Sequence, residues 1–366
     1  MKVELTQLSS NEYQKLISER MTPAMAASYL KEQMIVLRSF VEMLRGFYPA
    51  GDILPRLISA FMAADPRANA DSVSRKIRNW LSGKNRPTGR EDIFQIAFAL
   101  ELTEAQASYL LGLCTDFGIH YREGREAVYA WFLRMGYTYM EARDFFDTLP
   151  PITYPDVPPK TTTCHLTREL QTEFMRIQTT EELRACYVEN LGNFGQLHMR
   201  AYYYFNKYLD QLIHPAPAWG GTYEPDYSME SIMQQYLSFH IPSGKDRKNY
   251  SVVQKLIKHN WPNTTALKNI RNQKEDVPRK LLLLLYVITE NIMDSAYHET
   301  DEEYVTLEER VDDHWWSLNA LLTDCGMPLL DPRNPTDWLV LYAIAAEDEP
   351  MSERMEQVIE HIYSDV

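Results

Sequence analysis

The sequence predicts an all-α fold built of multi-helix bundles. Three observations carry that expectation. Apolar residues recur at three- and four-residue spacings along most of the chain. Cap-plus-proline helix starts punctuate it, at Thr22-Pro23, Asp65-Pro66, Asp331-Pro332 and Asn334-Pro335. No valine-rich strand pattern and no Asn-Gly hairpin signal accompanies them.

The elements follow in order. Residues 1 to 48 read as helices, the one after Thr22 turning Met25, Tyr29, Met34, Leu37, Val41 and Leu44 inward. A helix over about Ile53 to Ala63 buries Leu54, Leu57, Ile58 and Phe61, and Asp65-Pro66 starts the next. Leu102-Thr103 before Glu104 begins a helix with Ala107, Leu110, Leu111 and Leu113 inward. Two more lie between Arg122 and Phe146, divided at Gly136; their aromatic stripe, Tyr129 to Phe146, reads as core. Leu149 to Thr163 holds five prolines in fifteen residues and reads as a semi-rigid linker. It separates an N-terminal helical domain, 1–148, from a C-terminal one, 164–366. Helices then follow over Thr167–Ile177, Thr180–Leu191, Gln196–Ile213 and Met229–Phe239, around a Gly/Pro loop at Pro215–Pro225. Beyond Glu290 the chain reads as helical to about Leu322. A final pair spans Thr336–Ala346 and Ser352–Tyr363.

The most informative stretch is Ser72 to Leu102, SVSRKIRNWLSGKNRPTGREDIFQIAFALEL. Val73, Ile77, Trp80 and Leu81 fall at i, i+4, i+7 and i+8 and give one apolar helix face. Ser72 or Asp71 caps the start, and Gly83 stands where a left-handed stop residue belongs. A basic turn with Pro87 leads to a second helix from near Thr88 that buries Ile93, Ile96, Ala97 and Leu100. On Ile77, Trp80, Gly83, Lys84, Pro87, Ile93, Ile96, Leu100 and Leu102, the stretch resembles the second half of a lambda-repressor-like (XRE-type) helix-turn-helix domain. The resemblance covers about 35 of 366 residues. It implies a DNA-binding module over about 53–113 and a bacterial or phage-type regulator. The chain departs from the family just before the recognition helix, where PRANADS replaces a Q-x-x-L-A pattern. Either that helix is short and polar, or the second and third helices are merged.

With Val73, Ile77, Trp80 and Leu81 inward, Ser72, Arg75, Lys76 and Asn79 project outward, with Arg78 and Ser82 at the margin. Arginine and lysine suit guanine edges and asparagine suits adenine, while Lys84, Arg86 and Arg90 suit phosphates. A fainter copy lies 190 residues on, over about 250–290, where Leu267 falls on Ile77 and Ile270 on Trp80. Thr264, Thr265, Lys268, Asn269, Arg271 and Lys274 would take the corresponding parts, with Asn272-Gln273 in place of the glycine turn. A plain basic helical hairpin is the alternative there.

Charge is segregated in the same way. Net charge is −14, yet Arg67–Glu91 carries +5 and Lys245–Lys280 carries +7, leaving −26 elsewhere. From Glu290 onward twenty acidic residues face only Arg310, Arg333 and Arg354, which offers an acidic surface to a protein partner. Apolar content of 45% with 24% charged residues fits a globular chain. The longest apolar run, Leu281–Ile288, cannot span a bilayer, and MKVELTQLSSNEYQK lacks the apolar stretch of a signal peptide. Cys114, Cys164, Cys186 and Cys325 have no pairing or metal spacing and are expected reduced. A cytoplasmic location is expected, without membrane attachment.

Catalytic and cofactor motifs are missing: no phosphate-cradling glycine loop, no H-E-x-x-H, no G-x-S-x-G and no Cys-x-x-Cys. Glu308, Glu309, Asp312, Asp313 and His314 read as a solvated acidic face. No enzyme activity, metal or cofactor is expected. The expected partner is double-stranded DNA, read in sequence by a homodimer or by two linked modules. The rival expectation is a non-enzymatic helical scaffold that retains a repressor-like fold and binds protein.

Overall fold

The structure, a computed structural model, describes residues 6–18, 20–32, 35, 37–152, 167–195, 197–214, 226–242, 250–259, 261–297, 306–345 and 349–364. In chain order the helices begin with α1 (Gln7–Ser18), α2 (Pro23–Lys31), α3 (Phe40–Phe47), α4 (Ile53–Ala64) and α5 (Ala70–Leu81). Next come α6 (Arg90–Ala99), α7 (Glu104–Thr115), α8 (Gly124–Arg134), α9 (Tyr139–Asp147), α10 (Thr167–Arg176) and α11 (Thr180–Glu189). The remainder are α12 (Met199–Ile213), α13 (Met229–Ile232), α14 (Val252–Lys258), α15 (Thr264–Arg271), α16 (Arg279–Tyr297), α17 (Leu307–Asp324), α18 (Pro335–Ile344) and α19 (Met351–Tyr363). A π-helical turn, Met233–Leu237, extends α13. Among the described residues no strand occurs, and the fold is all-α. No described helix is long and apolar enough to cross a membrane.

Local chemistry accounts for most helix ends. Thr22 accepts the Met25 N–H with Pro23 at the first helical position of α2. Thr103 with Gln106, Thr138 with Glu141, and Thr179 with Glu182 form reciprocal capping boxes on α7, α9 and α11. Met25 departs from expectation: it is 57% exposed, because the phase set by Thr22-Pro23 turns Ala26, Ala27, Tyr29 and Leu30 inward instead.

The chain divides into two compact units, one of Arg38–Arg200 with Thr323–Pro328, the other of Met1–Leu37, Ala201–Leu322 and Leu329–Val366. This differs from a boundary at the proline-rich stretch, of which 153–166 lie outside the described residues. Leu149 before that stretch shares a core with Leu170, Phe174, Ile177, Leu183 and Tyr187 after it. Arg184 donates to Thr148 O at 3.2 Å and Oγ1 at 2.7 Å, and the Trp131 indole donates to Ile177 O at 3.1 Å. Prolines stiffen a connection, but a domain ends only where contacts across it cease.

In the first unit, α4 packs on α5 and α6, α3 on α5 and α7, and α6 on α7, α8 and α9. The aromatic stripe lies in this core: Tyr129, Trp131 and Phe132 are buried, while Tyr137 is 41% exposed and stacks on Trp131. Pro328 lies so close to α7 that its Cγ would stand 2.4 Å from a Cβ on Gly112, an approach only glycine permits. In the second unit, Leu281–Ile288 of α16 and all of α18 are buried, and α19 packs on α2 and α18. Arg279 and Asp337 form a buried ion pair there, joining α16 to α18.

Candidate nucleic-acid interface

The helix expected over about Ile53 to Ala63 is present as α4 (Ile53–Ala64). α4 lies directly before α5, joined by residues 65–69, and packs against it. It is neither short and polar nor merged with α5, since Ile53, Leu57 and Phe61 give it an apolar face of its own. Asp65-Pro66 does not start a helix. Asp65 closes α4, and its Oδ1 accepts the Arg67 N–H at 3.0 Å. The cap of α5 is Asn69, which accepts the Ser72 N–H at 2.9 Å, so the helix begins at Ala70 rather than at Ser72.

Under α5, Ile77 and Trp80 are buried, with Val73 and Leu81 half-buried; the Phe61 and Trp80 rings meet edge-on at 5.7 Å. Gly83 is left-handed, at φ 73°, and its N–H bonds Trp80 O at 3.1 Å. Pro87 is buried in the turn, and α6 starts at Arg90 behind Gly89, two residues after Thr88.

Ser72, Arg75, Arg78, Lys84 and Arg86 are exposed and Asn79 is half-buried. The side chains of Arg75, Arg78 and Lys84 have neither ion-pair nor hydrogen-bond partners among the described residues. Arg86 has one long bond, 3.4 Å, to Leu113 O. Three unpaired cations and an amide thus project from one helix and its following turn.

Two residues expected in that set do other things. Lys76 Nζ lies 2.7 Å from Asp92 Oδ1 on α6, and over the Trp80 and Phe61 rings at 4.9 and 5.5 Å. Arg90 is folded inward as a structural clamp. Its Nε and Nη2 grip both oxygens of Glu126, and it also donates to Thr115 Oγ1, Phe117 O and Gly118 O. All five guanidinium donors are therefore used. Neither Asp92 nor Glu126 stood out in the sequence, because both partners are distant along it.

Next to that clamp, His198 lies between the rings of Phe117 at 3.6 Å and His120 at 3.8 Å, and is 6% exposed. Burial above all, then the Arg90 and Arg122 charges, hold its pKa well below the usual 6.5. The folded protein keeps His198 neutral, whereas an unfolded chain protonates it near pH 6.5. Stability from this group is complete above pH 6.5 and is lost as pH falls below it, at about 1.4 kcal/mol per pH unit until the folded site titrates. Urea unfolding at pH values from about 7 to 5.5 should show that loss in the parent, and His198→Phe should remove most of it. An unchanged slope in the variant would assign the acid sensitivity to other groups.

The second basic segment is arranged differently. α15 has α13 as its principal helical neighbour rather than α14, so the α4–α5 pairing does not recur. Its cap is Asn263, and the left-handed residue is Gln273, at φ 56°, rather than Asn272. Lys268 is ion-paired to Glu230, and the Asn269 amide donates to Glu275 Oε1 at 2.7 Å. Thr265, Arg271 and Lys274 are exposed and Thr264 is half-buried. Lys258 and Arg279 are buried, and Lys280 donates to the carbonyls of Leu256, Ile257 and His259 that end α14. Lys245, Arg247 and Lys248 lie outside the described residues. Much of the +7 balance is thus spent on internal contacts.

The remaining polar clusters are internally engaged. A cleft of about 260 Å³ beside α6 and α8 is lined by Glu91, Glu123, Arg125 and Glu126 among others. There Glu91 accepts the Tyr129 and Tyr139 hydroxyls at 3.0 and 2.5 Å. On α17, Glu309 bonds the Thr306 N–H, Asp312 accepts the Tyr13 hydroxyl and His314 bonds Tyr286, so these groups do not converge. No metal-holding group of three His, Cys, Asp or Glu occurs among the described residues. Cys114 and Cys325 are buried thiols and Cys186 a half-buried one; burial pushes Cys114 up to about 11. Cys164 lies outside the described residues. No known protein family, no curated relative and no solved structure matched this chain.

Proposed function

We propose that the chain binds double-stranded DNA in a sequence-dependent way, as a transcriptional regulator of the bacterial or phage type. α4, residues 65–69 and α5 act as its helix-turn-helix. The observation that carries this reading is the set of unpaired cations, Arg75, Arg78 and Lys84, on a helix whose underside is fixed by Ile77 and Trp80. Cations left exposed and unpaired on a rigid support suit a polyanion, because no intramolecular partner has to be displaced. α5 has 12 residues, about 18 Å, a length suited to lying in the major groove. Arg75 and Asn79 then face base edges, Ser72 and Arg78 flank them, and Lys84 with Arg86 meets phosphates. Thr265, Arg271 and Lys274 are left for secondary phosphate contact, and two copies of the chain would read two half-sites.

Binding to a randomised duplex pool, followed by titration of the enriched sequence at two salt concentrations, tests this. Arg75→Ala should cost about 1–3 kcal/mol on the enriched site and relax preference at one base pair. Lys84→Ala should weaken binding to all sequences alike and lower the salt slope by about 0.9. A chain that retards no duplex at low salt and instead copurifies with a defined protein through its acidic C-terminal region would favour the scaffold reading.

A further inference from the structure

We infer that Lys76 is a positioning residue that sets α5 on α6 for DNA reading and does not itself touch DNA. This rests on the function proposed above. Lys76 lies on the edge of α5 between the outward face and the buried underside, one turn before Trp80. Its ammonium has three neighbours from three helices: Asp92 Oδ1 of α6 at 2.7 Å, the Phe61 ring of α4 at 5.5 Å and the Trp80 ring of α5 at 4.9 Å. The ammonium thereby lies over both rings of the Phe61–Trp80 edge contact and against one carboxylate. Asp92 is three-quarters buried on its side, and it sits in the first turn of α6, where a carboxylate is favoured. Arg75, one residue earlier, points away and has no such partner. Adjacent cations on one helix thus have opposite roles: Arg75 is available to a ligand, and Lys76 ties the three helices together.

The two roles predict opposite signs for one substitution. A phosphate-contacting Lys76 competes with Asp92, so Asp92→Asn would release the lysine, remove a negative charge near DNA and strengthen binding. A positioning Lys76 needs Asp92, so Asp92→Asn weakens binding. The test measures affinity for the enriched duplex and its salt slope in the parent, Lys76→Met, Lys76→Arg, Asp92→Asn and the Lys76→Met/Asp92→Asn double variant. Thermal melts run alongside to confirm that each is folded. Lys76→Met and Asp92→Asn should each lower affinity about tenfold with the parental slope, the double variant should lose no more than either single one, and Lys76→Arg should restore binding. A slope reduced by about 0.9 in Lys76→Met, or tighter binding by Asp92→Asn, would overturn the inference while leaving the function in place. A parent that binds no duplex overturns both.

Discussion

Asp337→Asn is expected to destabilise the protein by about 3–5 kcal/mol, the cost of leaving one member of a buried ion pair without its partner. Asp337 is 1% exposed and Arg279 is 7% exposed. The guanidinium binds the carboxylate through both arms, Nη1 to Oδ1 at 2.6 Å and Nη2 to Oδ2 at 2.8 Å. Nη2 also donates to Leu329 O at 3.1 Å, and the Asp331 N–H donates to Asp337 Oδ2 at 2.9 Å. An amide would keep the shape and remove the carboxylate charge opposite a buried guanidinium that cannot shed its proton. Burial pushes the Asp337 carboxyl above its ordinary range even with Arg279 beside it. The pair therefore gives little net stability, and removing it whole is a different matter from breaking it. Arg279→Met should also cost several kcal/mol, while Arg279→Met/Asp337→Leu should cost far less than the two single changes together. Urea unfolding followed by helical ellipticity reads all three. A single-variant loss below about 1 kcal/mol would mean that water reaches the site and screens the orphan charge.

The helical framework was legible because it depends on near neighbours. Apolar period, the Thr103 start before Glu104 and the Thr22-Pro23 start all act within one or two turns, so adjacent residues carry the information. The exposed part of the candidate site was legible for the same reason: helix phase turns Arg75 and Arg78 outward, and Lys84 lies in the turn just beyond Gly83. What was not legible depends on distant partners. A formal charge counts equally whether it meets solvent or a carboxylate, so Arg90 reads as a phosphate contact and Arg279 simply adds to the +7 of its segment. Glu126 and Asp337, 36 and 58 residues away, decide otherwise. The second basic segment misled by the same route: its spacing imitates α5, but Glu230 and Glu275 occupy Lys268 and Asn269. Cap choice was a closer contest. Asn69, Asp71 and Ser72 are all competent caps, and the turn that follows α4 selects the first of them.

Arg90 gives the sharpest contrast between the two kinds of cation. On the sequence it belongs with Lys84 and Arg86 as a phosphate contact, and in that role Arg90→Lys would retain most of the binding. In the structure it is a planar fork filled by Glu126, Thr115 and the carbonyls of Phe117 and Gly118, which a lysine cannot reproduce. Glu126 in turn accepts the His120 N–H at 2.8 Å, so the clamp also fixes the loop that presents His120 to His198. Arg90→Lys and Arg90→Met are both expected to cost about 2–4 kcal/mol of stability, because Glu126 loses the paired guanidinium bonds and keeps only the His120 N–H, and the Phe117 and Gly118 carbonyls lose their guanidinium donors. DNA binding should then fail with the fold, at the urea concentration or temperature where helical ellipticity is lost, and the variants should keep the parental salt slope below that point. Arg75→Ala should do the reverse, with an unchanged unfolding midpoint and weakened binding. If Arg90→Lys unfolds like the parent while its salt slope drops, Arg90 belongs with the phosphate contacts and Glu126 is a resting partner that DNA displaces.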